Sequence, residues 1–342
     1  MENQMCLENE RFLVEIWRNM IKSTVIIPNY NGMKFIENCM KALAQETSVK
    51  YNVCVVDNGS TDGSREWVEE NCPKVQLIAL GENTGFCGAV NAGIKVSKTP
   101  YVILLNNDTE VEYGFVRELE IALEKEEKSF SVSAKMVDMY HKDVLDGAGD
   151  LYCALGWAFA LGKGKSVKEH YTKPQEIFSA CGGAVIYKKE VLDEIGIFDE
   201  NHFAYLEDCD LGYRAQIFGY RNFYAPKAVV YHAGSGVSGS RHNEFKVSLS
   251  SKNSIYLIYK NMPLLQIFLN LPFLIAGFLV KYLFFIKKGL GHTYKKGIQE
   301  GIKLCVSEEG RRKKIPFSRK RFQNYIRIQW KLWLNIVRRF IG

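Results

Sequence analysis

Three carboxylates carry the chemistry that this chain offers most plainly. Asp108 ends Tyr101-Val-Ile-Leu-Leu-Asn-Asn-Asp108, an apolar run that stops on an acid. Glu207 and Asp208 sit in Phe203-Ala-Tyr-Leu-Glu-Asp-Cys-Asp-Leu-Gly-Tyr-Arg214, where acids open a helix-like segment. A carboxylate at a strand exit suits a hard cation holding a diphosphate. A second carboxylate at the same cleft suits a general base. The pair suggests group transfer from a nucleotide-activated donor. Composition alone does not choose a base among Asp199, Glu207, Asp208 and Asp210, and acids in a first helical turn also complement the helix dipole.

The elements that position these groups alternate. Ser23-Thr-Val-Ile-Ile-Pro28 predicts a strand closed by proline, and Asn31-Gly32 a turn. Ile36, Met40 and Leu43 follow at helical spacing. Strands are predicted at Tyr51–Asp57, Val75–Leu80, Tyr101–Leu105 and Ser131–Met136. Helices are predicted at Gly85–Val96 and Tyr113–Glu126. Such alternation means right-handed βαβ units and a mostly parallel sheet, whose ligands bind beyond the carboxyl ends of the strands. Pro28, Asp57 and Asp108 all stand at such ends. Residues 141–173, with five glycines, read either as a mobile active-site loop or as a solvent loop. Ala228-Val-Val-Tyr231 predicts a further strand ahead of His232. The chain has no internal repeat and no low-complexity tract.

Five motifs in order resemble family 2 glycosyltransferases: Pro28-Asn-Tyr-Asn-Gly32, Val55-Val-Asp-Asn-Gly-Ser-Thr-Asp62, Glu82-Asn-Thr-Gly-Phe86, Leu105-Asn-Asn-Asp108 and Glu207-Asp208. The Asn-Asn-Asp form and Gly182-Gly183-Ala184 are similar to the bacterial rhamnosyltransferase-like branch. The resemblance covers about Ser23 to Gly236. It implies a GT-A fold, an α/β nucleotide-diphospho-sugar transferase with a mostly parallel central sheet, and inversion at the anomeric carbon; the residues beyond it predict a helical, membrane-associated carboxyl-terminal region. It implies Asp57 as acceptor for the base of UDP or dTDP, with a turn aspartate capping Ser60 or Thr61 as the alternative. Pro28, Tyr30, Asn31, Asn83, Gly85, Asn91, Asn106, Asn107, Gly183, Glu207 and Arg241 are implied in substrate binding. Asp108 and His232 would hold Mg²⁺ or Mn²⁺, and Asp208 would be the base. Asn106 stands where many relatives carry an aspartate, so the site has one charge fewer. The Gln-x-x-Arg-Trp motif of processive synthases is missing, which predicts addition of one or a few sugars.

The bulk numbers fit that reading. The chain has 342 residues, 47% hydrophobic and 24% charged, as a globular protein does. Nine cysteines without a Cys-x-x-Cys pair predict buried free thiols in a reducing compartment. The acidic start, Met1–Arg11, is unlike a secretion signal. Net charge is +7, but Lys281–Gly342 holds 17 Lys/Arg against three Glu, so the rest is acidic.

Asn261–Val280 has no ionisable group, yet its prolines and the basic tail behind it favour an in-plane or re-entrant segment over a crossing. Phe322, Ile326, Trp333, Val337 and Phe340, with Trp330, predict a basic amphipathic interfacial helix rather than a nucleic-acid contact.

The expected organisation is an extension at 1–22, a catalytic region at 23–260, apolar membrane-associated helices at 261–290 and a basic tail at 291–342. The expected activity is metal-dependent transfer of a sugar, with a lean to L-rhamnose from dTDP-rhamnose, to a lipid-linked saccharide on the cytoplasmic face of a bacterial plasma membrane. UDP-hexose or UDP-galactofuranose transfer is an alternative. So are a sugar-nucleotidyltransferase, disfavoured because strand one lacks a basic glycine-rich loop, and a non-catalytic membrane scaffold. A dehydrogenase is disfavoured, because no Gly-x-Gly-x-x-Gly follows strand one.

Overall fold

The apolar, β-branched runs form strands where their spacing predicts. A computed structural model describes residues 20–234 and 243–341. β1 (Ser23–Asn29), β2 (Asn52–Asp57), β3 (Gln76–Ala79) and β4 (Tyr101–Leu105) pair in parallel in the order β3-β2-β1-β4. α1 (Met33–Gln45), α2 (Ser64–Asn71) and α3 (Gly85–Val96) are the crossovers. Both faces of β1, β4 and most of β2 are buried, while the edge strand β3 is half-exposed. One cluster holds Ile26, Cys54 and Leu104, and the other holds Val25, Val55 and Leu105. That is why each reads as a continuous apolar run.

Beyond β4 the sheet becomes mixed. β5 (Thr109–Val111), α4 (Phe115–Glu124), β6 (Ser129–Asp138), β7 (Leu145–Gly147), β10 (Gln175–Ile177), β11 (Ala184–Lys188) and β12 (Arg221–His232) extend it to the order β10-β12-β6-β11-β4-β1-β2-β3. β11 runs antiparallel to β4 with Ala184 opposite Leu105, so Gly182–Gly183 lies beside Asn106–Asp108. β5 turns back antiparallel onto β12, with Thr109 opposite His232. These reversals gather strand starts and strand exits at one edge. Between them run β8 (Asp150–Cys153), β9 (Trp157–Ala160), α5 (Lys189–Ile195) and α6 (Glu207–Phe218).

The structure corrects one expectation. The segment 141–173 is no structureless loop: it contributes β7 to the sheet, and β8 and β9 form a separate hairpin. Leu151, Tyr152 and Ala154 are buried in the main core, which anchors the hairpin. The glycines that suggested a loop stand at positive φ at its turns (Gly149, Gly156, Gly162 and Gly164).

The carboxyl-terminal part is helical: α7 (Glu244–Asn261), α8 (Leu264–Lys287), α9 (Gly291–Val306), α10 (Glu308–Lys313) and α11 (Phe322–Ile341). The apolar stretch expected at 261–280 is thus one helix of 24 residues with Pro272 inside it. Leu257 of α7, Leu274 of α8 and Ile328 and Leu332 of α11 are buried in the same core as α3 and α6.

α7 is tied in by charge as well. Its buried Lys260 meets Asp199 at 2.7 Å and Asp210 at 2.9 Å. Arg214, Asn261 and Tyr256 supply the remaining hydrogen bonds. A buried ion pair survives only when its other valences are satisfied in this way.

Candidate active site

One cleft of about 680 Å³ opens at the edge where the strand exits converge. Pro28, Tyr30, Asn83, Gly85, Asn106, Asn107, Asp108, Gly183, Glu207, Asp208 and His232 all line it. The two carboxylates farthest apart in the sequence argument, Asp108 and Asp208, therefore face a common cavity.

At one corner, the pairing of β5 with β12 brings His232 Nε2 to 3.3 Å from Asp108 Oδ1. The Ala233 N–H donates to the Asp108 carbonyl at 3.0 Å and fixes this register. The other ring nitrogen, Nδ1, lies 2.7 Å from Asp146 Oδ2, and Asp146 is paired in turn with Lys163. Burial alone would lower the His232 pKa, but hydrogen bonds to Asp108 and Asp146 hold it up at about 9. Burial would raise Asp146, but His232 and Lys163 hold it at about 2. Both carboxylates thus favour the charged form of the imidazole.

Asp108 and, once deprotonated, His232 would supply one oxygen and one nitrogen to a divalent cation. A carboxylate oxygen and an imidazole nitrogen at this separation are placed like adjacent ligands, which lie about 3 Å apart on an octahedral ion. Asp146 stands behind His232 as an orienting carboxylate stands behind a metal-bound imidazole. Water and donor phosphates would complete so small a protein ligand set.

The opposite corner holds three acids. α6 begins at Glu207, and Asp208 accepts from the Cys209 N–H at 2.7 Å and the Gly182 N–H at 3.4 Å. Asp150, Cys181 and Asp208 place their ligand-type atoms within 4.8 Å of one another. Burial pushes Glu207 and Asp150 well above the carboxylate range, and the nearby Asp208 charge adds to it. Asp208 is raised too, by burial, but its backbone hydrogen bonds oppose the rise.

Close acids cannot all ionise together. The backbone donors favour the charge on Asp208 over Glu207 and Asp150. Burial also keeps the Cys181 thiol protonated, so this cluster is poorly suited to a hard cation. The Glu207 Oε2 atom is buried without a hydrogen-bond partner, a vacancy that a sugar hydroxyl could fill.

The segment before α6 is strained. Phe203, Tyr205 and Leu206 have φ of 62°, 70° and 66°, in the left-handed region that ordinary side chains avoid. Asn253 of α7 holds the segment by donating to the carbonyls of His202, Ala204 and Tyr205. Phe203 also packs on Gly85, where an added Cβ would come within 2.6 Å of the ring. Asp199 and Asp210 are consumed by Lys260, Arg214 and their neighbours. Burial opposes ionisation of Asp210, but Lys260 and Arg214 hold its carboxyl far below the usual range.

Other predicted residues lie back from the cavity lining. Asp57 caps its own turn, accepting from the Gly59 and Ser60 N–H groups at 3.2 and 3.1 Å and from Asn29 at 3.3 Å. Asn31 accepts from the Thr61 N–H. Asn91 is buried and spends its amide on Phe198 and Glu200. Among the lining residues, Asn107 donates to Asn29, and Asn83 accepts from Asn58 and the Gly85 N–H. Arg241 lies outside the described residues.

Sequence reasoning passed over Asp146, Asp150 and Asn253. For the first two the signal was Asp146-Gly-Ala-Gly-Asp150, two acids framed by turn glycines inside the presumed loop. Asn253, in mid-helix, left none.

The comparisons with known proteins bear on the chain as a whole. The model of glycosyl transferase family 2 matches residues 24–196, half of the sequence. The chain belongs to that family.

The transferase is 25% identical over 236 residues to the N-acetylglucosaminyl-diphospho-decaprenol L-rhamnosyltransferase of Mycobacterium tuberculosis, across 61% of this chain and 75% of that one. In fold it is similar to S. aureus TarS 1-349, with a TM-score of 0.53 and 18% identity over 91% of this chain and 89% of the other. It is also similar to GalNAc-T7 with UDP, GalNAc and Mn²⁺, with a TM-score of 0.58 and 15% identity. That alignment covers 71% of this chain but only about half, 48%, of the other. The α/β architecture is therefore that of GT-A glycosyltransferases, and the transferase is an enzyme of this class.

Proposed function

We propose that the transferase moves one sugar from a nucleoside-diphosphate donor to a short saccharide carried on a lipid diphosphate, with inversion at the anomeric carbon. Asp208 is the base: it takes the proton of the acceptor hydroxyl as that oxygen attacks opposite the departing diphosphate. Its backbone donors favour its charged form, and Glu207 and Asp150 beside it offer hydrogen bonds to sugar hydroxyls. Asp108 and His232 would hold Mg²⁺ or Mn²⁺, which when bound offsets charge on the leaving diphosphate. Pro28, Tyr30 and Asn83 form the nucleotide end, with Asp57 in the turn behind them and Gly85, Asn106, Asn107 and Gly183 along the floor. The L-rhamnose of the mycobacterial relative is the preferred donor sugar. The observation that carries this reading is the single cavity with an orphaned acid and a backbone-held carboxylate facing the Asp108–His232 corner.

The lipid acceptor rests on the carboxyl-terminal helices. α8 turns Gln266 and Asn270 inward and leaves Leu264, Phe268, Ile275 and Leu279 exposed. Phe268 is 72% exposed, whereas Asn270 is fully buried. This inverts the amphipathicity of a helix in water. Asn270 is paired with Gln329 and Trp333 of α11, whose Phe322, Ile326, Trp330, Val337 and Phe340 are likewise exposed.

We therefore assign residues 23–260 to catalysis and 261–290 with 291–342 to a monotopic seat on the inner, anionic leaflet of a bacterial membrane. α8 lies in the plane there because its inner face is fastened to the catalytic core. The test is to incubate the protein with Mg²⁺ or Mn²⁺, a bacterial lipid extract, and dTDP-rhamnose, UDP-hexoses or UDP-galactofuranose, with mass spectrometry of the products. A lipid diphosphate heavier by one deoxyhexose, made only with metal, is expected. A product from a UDP donor alone would replace the rhamnose assignment, and pyrophosphate release or no product with any donor would overturn the proposal.

A further inference from the structure

The β8–β9 hairpin joins the acid corner of the cleft to the membrane-facing helices. At one end Asp150 pairs with Ala160, and Ala158, Phe159 and Ala160 line the cavity that holds Asp208. At the other end the turn is built into the helices. The Trp157 indole N–H donates to the Gly277 carbonyl of α8 at 3.1 Å. The Ala154 N–H donates to the Leu332 carbonyl of α11 at 3.0 Å, and the Asn335 amide to the Tyr152 carbonyl at 2.9 Å. Gly277 admits this contact: a Cβ there would lie 2.1 Å from the Leu155 carbonyl oxygen. The hairpin is therefore a fixed bridge between the reacting groups and the lipid-facing surface.

Two cations stand over it. Lys281 Nζ of α8 is 5.8 Å from the centre of the Trp157 ring, and the Arg339 guanidinium of α11 is 5.5 Å from that of Phe159. Trp157 and Phe159 alternate on one face of β9. Neither cation forms an ion pair or hydrogen bond among the described residues, although acids satisfy Lys163, Lys260 and Lys331. Neither lines the cavity near Asp108, so they are not placed for the donor diphosphate.

We propose that Lys281 and Arg339 bind the diphosphate of the lipid-linked acceptor, with the lipid tail lying on α8 and α11 and the saccharide running along β9 to Asp208. This rests on the acceptor reading above and extends it to a site. Two unpaired cations on an aromatic platform suit a phosphate ester. From Ala160, Phe159 and Trp157 are one and three residues along the strand, about 3 and 10 Å. That span suits a short saccharide between phosphate and base.

Anionic phospholipid headgroups share this chemistry, so the experiment separates the two. The full-length protein, in phosphatidylcholine nanodiscs, is given the donor and either a saccharide on a lipid diphosphate or the same saccharide on a neutral alkyl chain. In Lys281→Met, and separately in the exposed Arg339→Gln, the ratio of kcat/KM for the diphosphate acceptor over the alkyl acceptor is expected to fall about tenfold, the loss of one charge-assisted contact. Lys281→Arg is expected to keep most of the ratio.

A ratio unchanged in folded Arg339→Gln and Lys281→Met protein overturns the site. So does an unchanged ratio with weaker flotation on phosphatidylglycerol vesicles, which would assign the cations to headgroups. A wild-type protein that uses the alkyl acceptor but not the diphosphate one overturns this inference alone; use of neither overturns the acceptor reading as well.

Discussion

At the scale of single residues, the cleft works through environments that push like groups apart. The Cys209 and Gly182 N–H groups that point at Asp208 oppose the rise that burial gives its carboxyl, while Glu207 and Asp150 are pushed well above the usual carboxylate range. Asp208→Asn should lower kcat by about 10²–10⁴-fold, the usual contribution of a positioned base. Donor binding should survive; calorimetry with the nucleotide sugar, set beside turnover, checks both. His232 sets a pH dependence of metal binding. With a pKa near 9 in the metal-free protein, it must shed a proton to ligate. Metal affinity should therefore weaken as pH falls from 9 to 7, by about tenfold per unit at most, as a Mn²⁺ titration would read.

The same elevation stabilises the metal-free fold fully below the ordinary imidazole value of 6.5 and no longer above about 9. Asp146→Asn should cost about 10–100-fold in metal affinity, as loss of an orienting carboxylate does. Asp108 and Asp208 were legible in sequence because each ends or opens an element. Asp146 was not, since its role depends on β12 arriving from 86 residues away to place His232 beside it.

At the scale of elements, the parallel half of the sheet was readable from its apolar runs and turn residues. The strand β5 and the antiparallel direction of β11 were not. Short strands of three to five residues carry little periodicity, and their partners are fixed by tertiary packing. The hairpin at 150–160 was hidden for a related reason: four-residue strands between glycines look like loop.

Two element-scale outcomes follow. Lys260→Met would strand Asp199 and Asp210 in the interior and should destabilise the protein by about 3–5 kcal/mol, measurable by chemical denaturation. Gly85→Ala would press on Phe203 and demand a positive φ of 75° from a residue with a Cβ. It should reduce activity more than it lowers the melting temperature, because the displaced segment leads straight into Asp208.

At the scale of the whole molecule, charge and exposure divide the chain into an acidic catalytic body and a basic, apolar-faced seat. The sequence showed the composition of that seat; which faces stay uncovered required the packing of α8 and α11. Vesicle flotation should depend on phosphatidylglycerol and weaken as salt rises, since each basic residue near an anionic surface contributes about 1 kcal/mol that salt screens. Trp330→Ala with Phe340→Ala should weaken partitioning by at least about tenfold, each exposed ring adding about 1.5–3 kcal/mol when buried.

The clamp of Asn253 on the segment before α6 has a practical corollary. The helix that grips this bend belongs to the part of the chain most tempting to remove when a water-loving version is wanted. Cutting ahead of residue 243 would free three backbone carbonyls, let the bend relax to ordinary dihedrals and swing the proton acceptor away from its substrate. The cut would also strand Asp199 and Asp210 without Lys260 and strip Leu257, Leu274, Ile328 and Leu332 from the core, so a poorly folded, inactive protein is the expected result, and its inactivity would say nothing against the full-length enzyme.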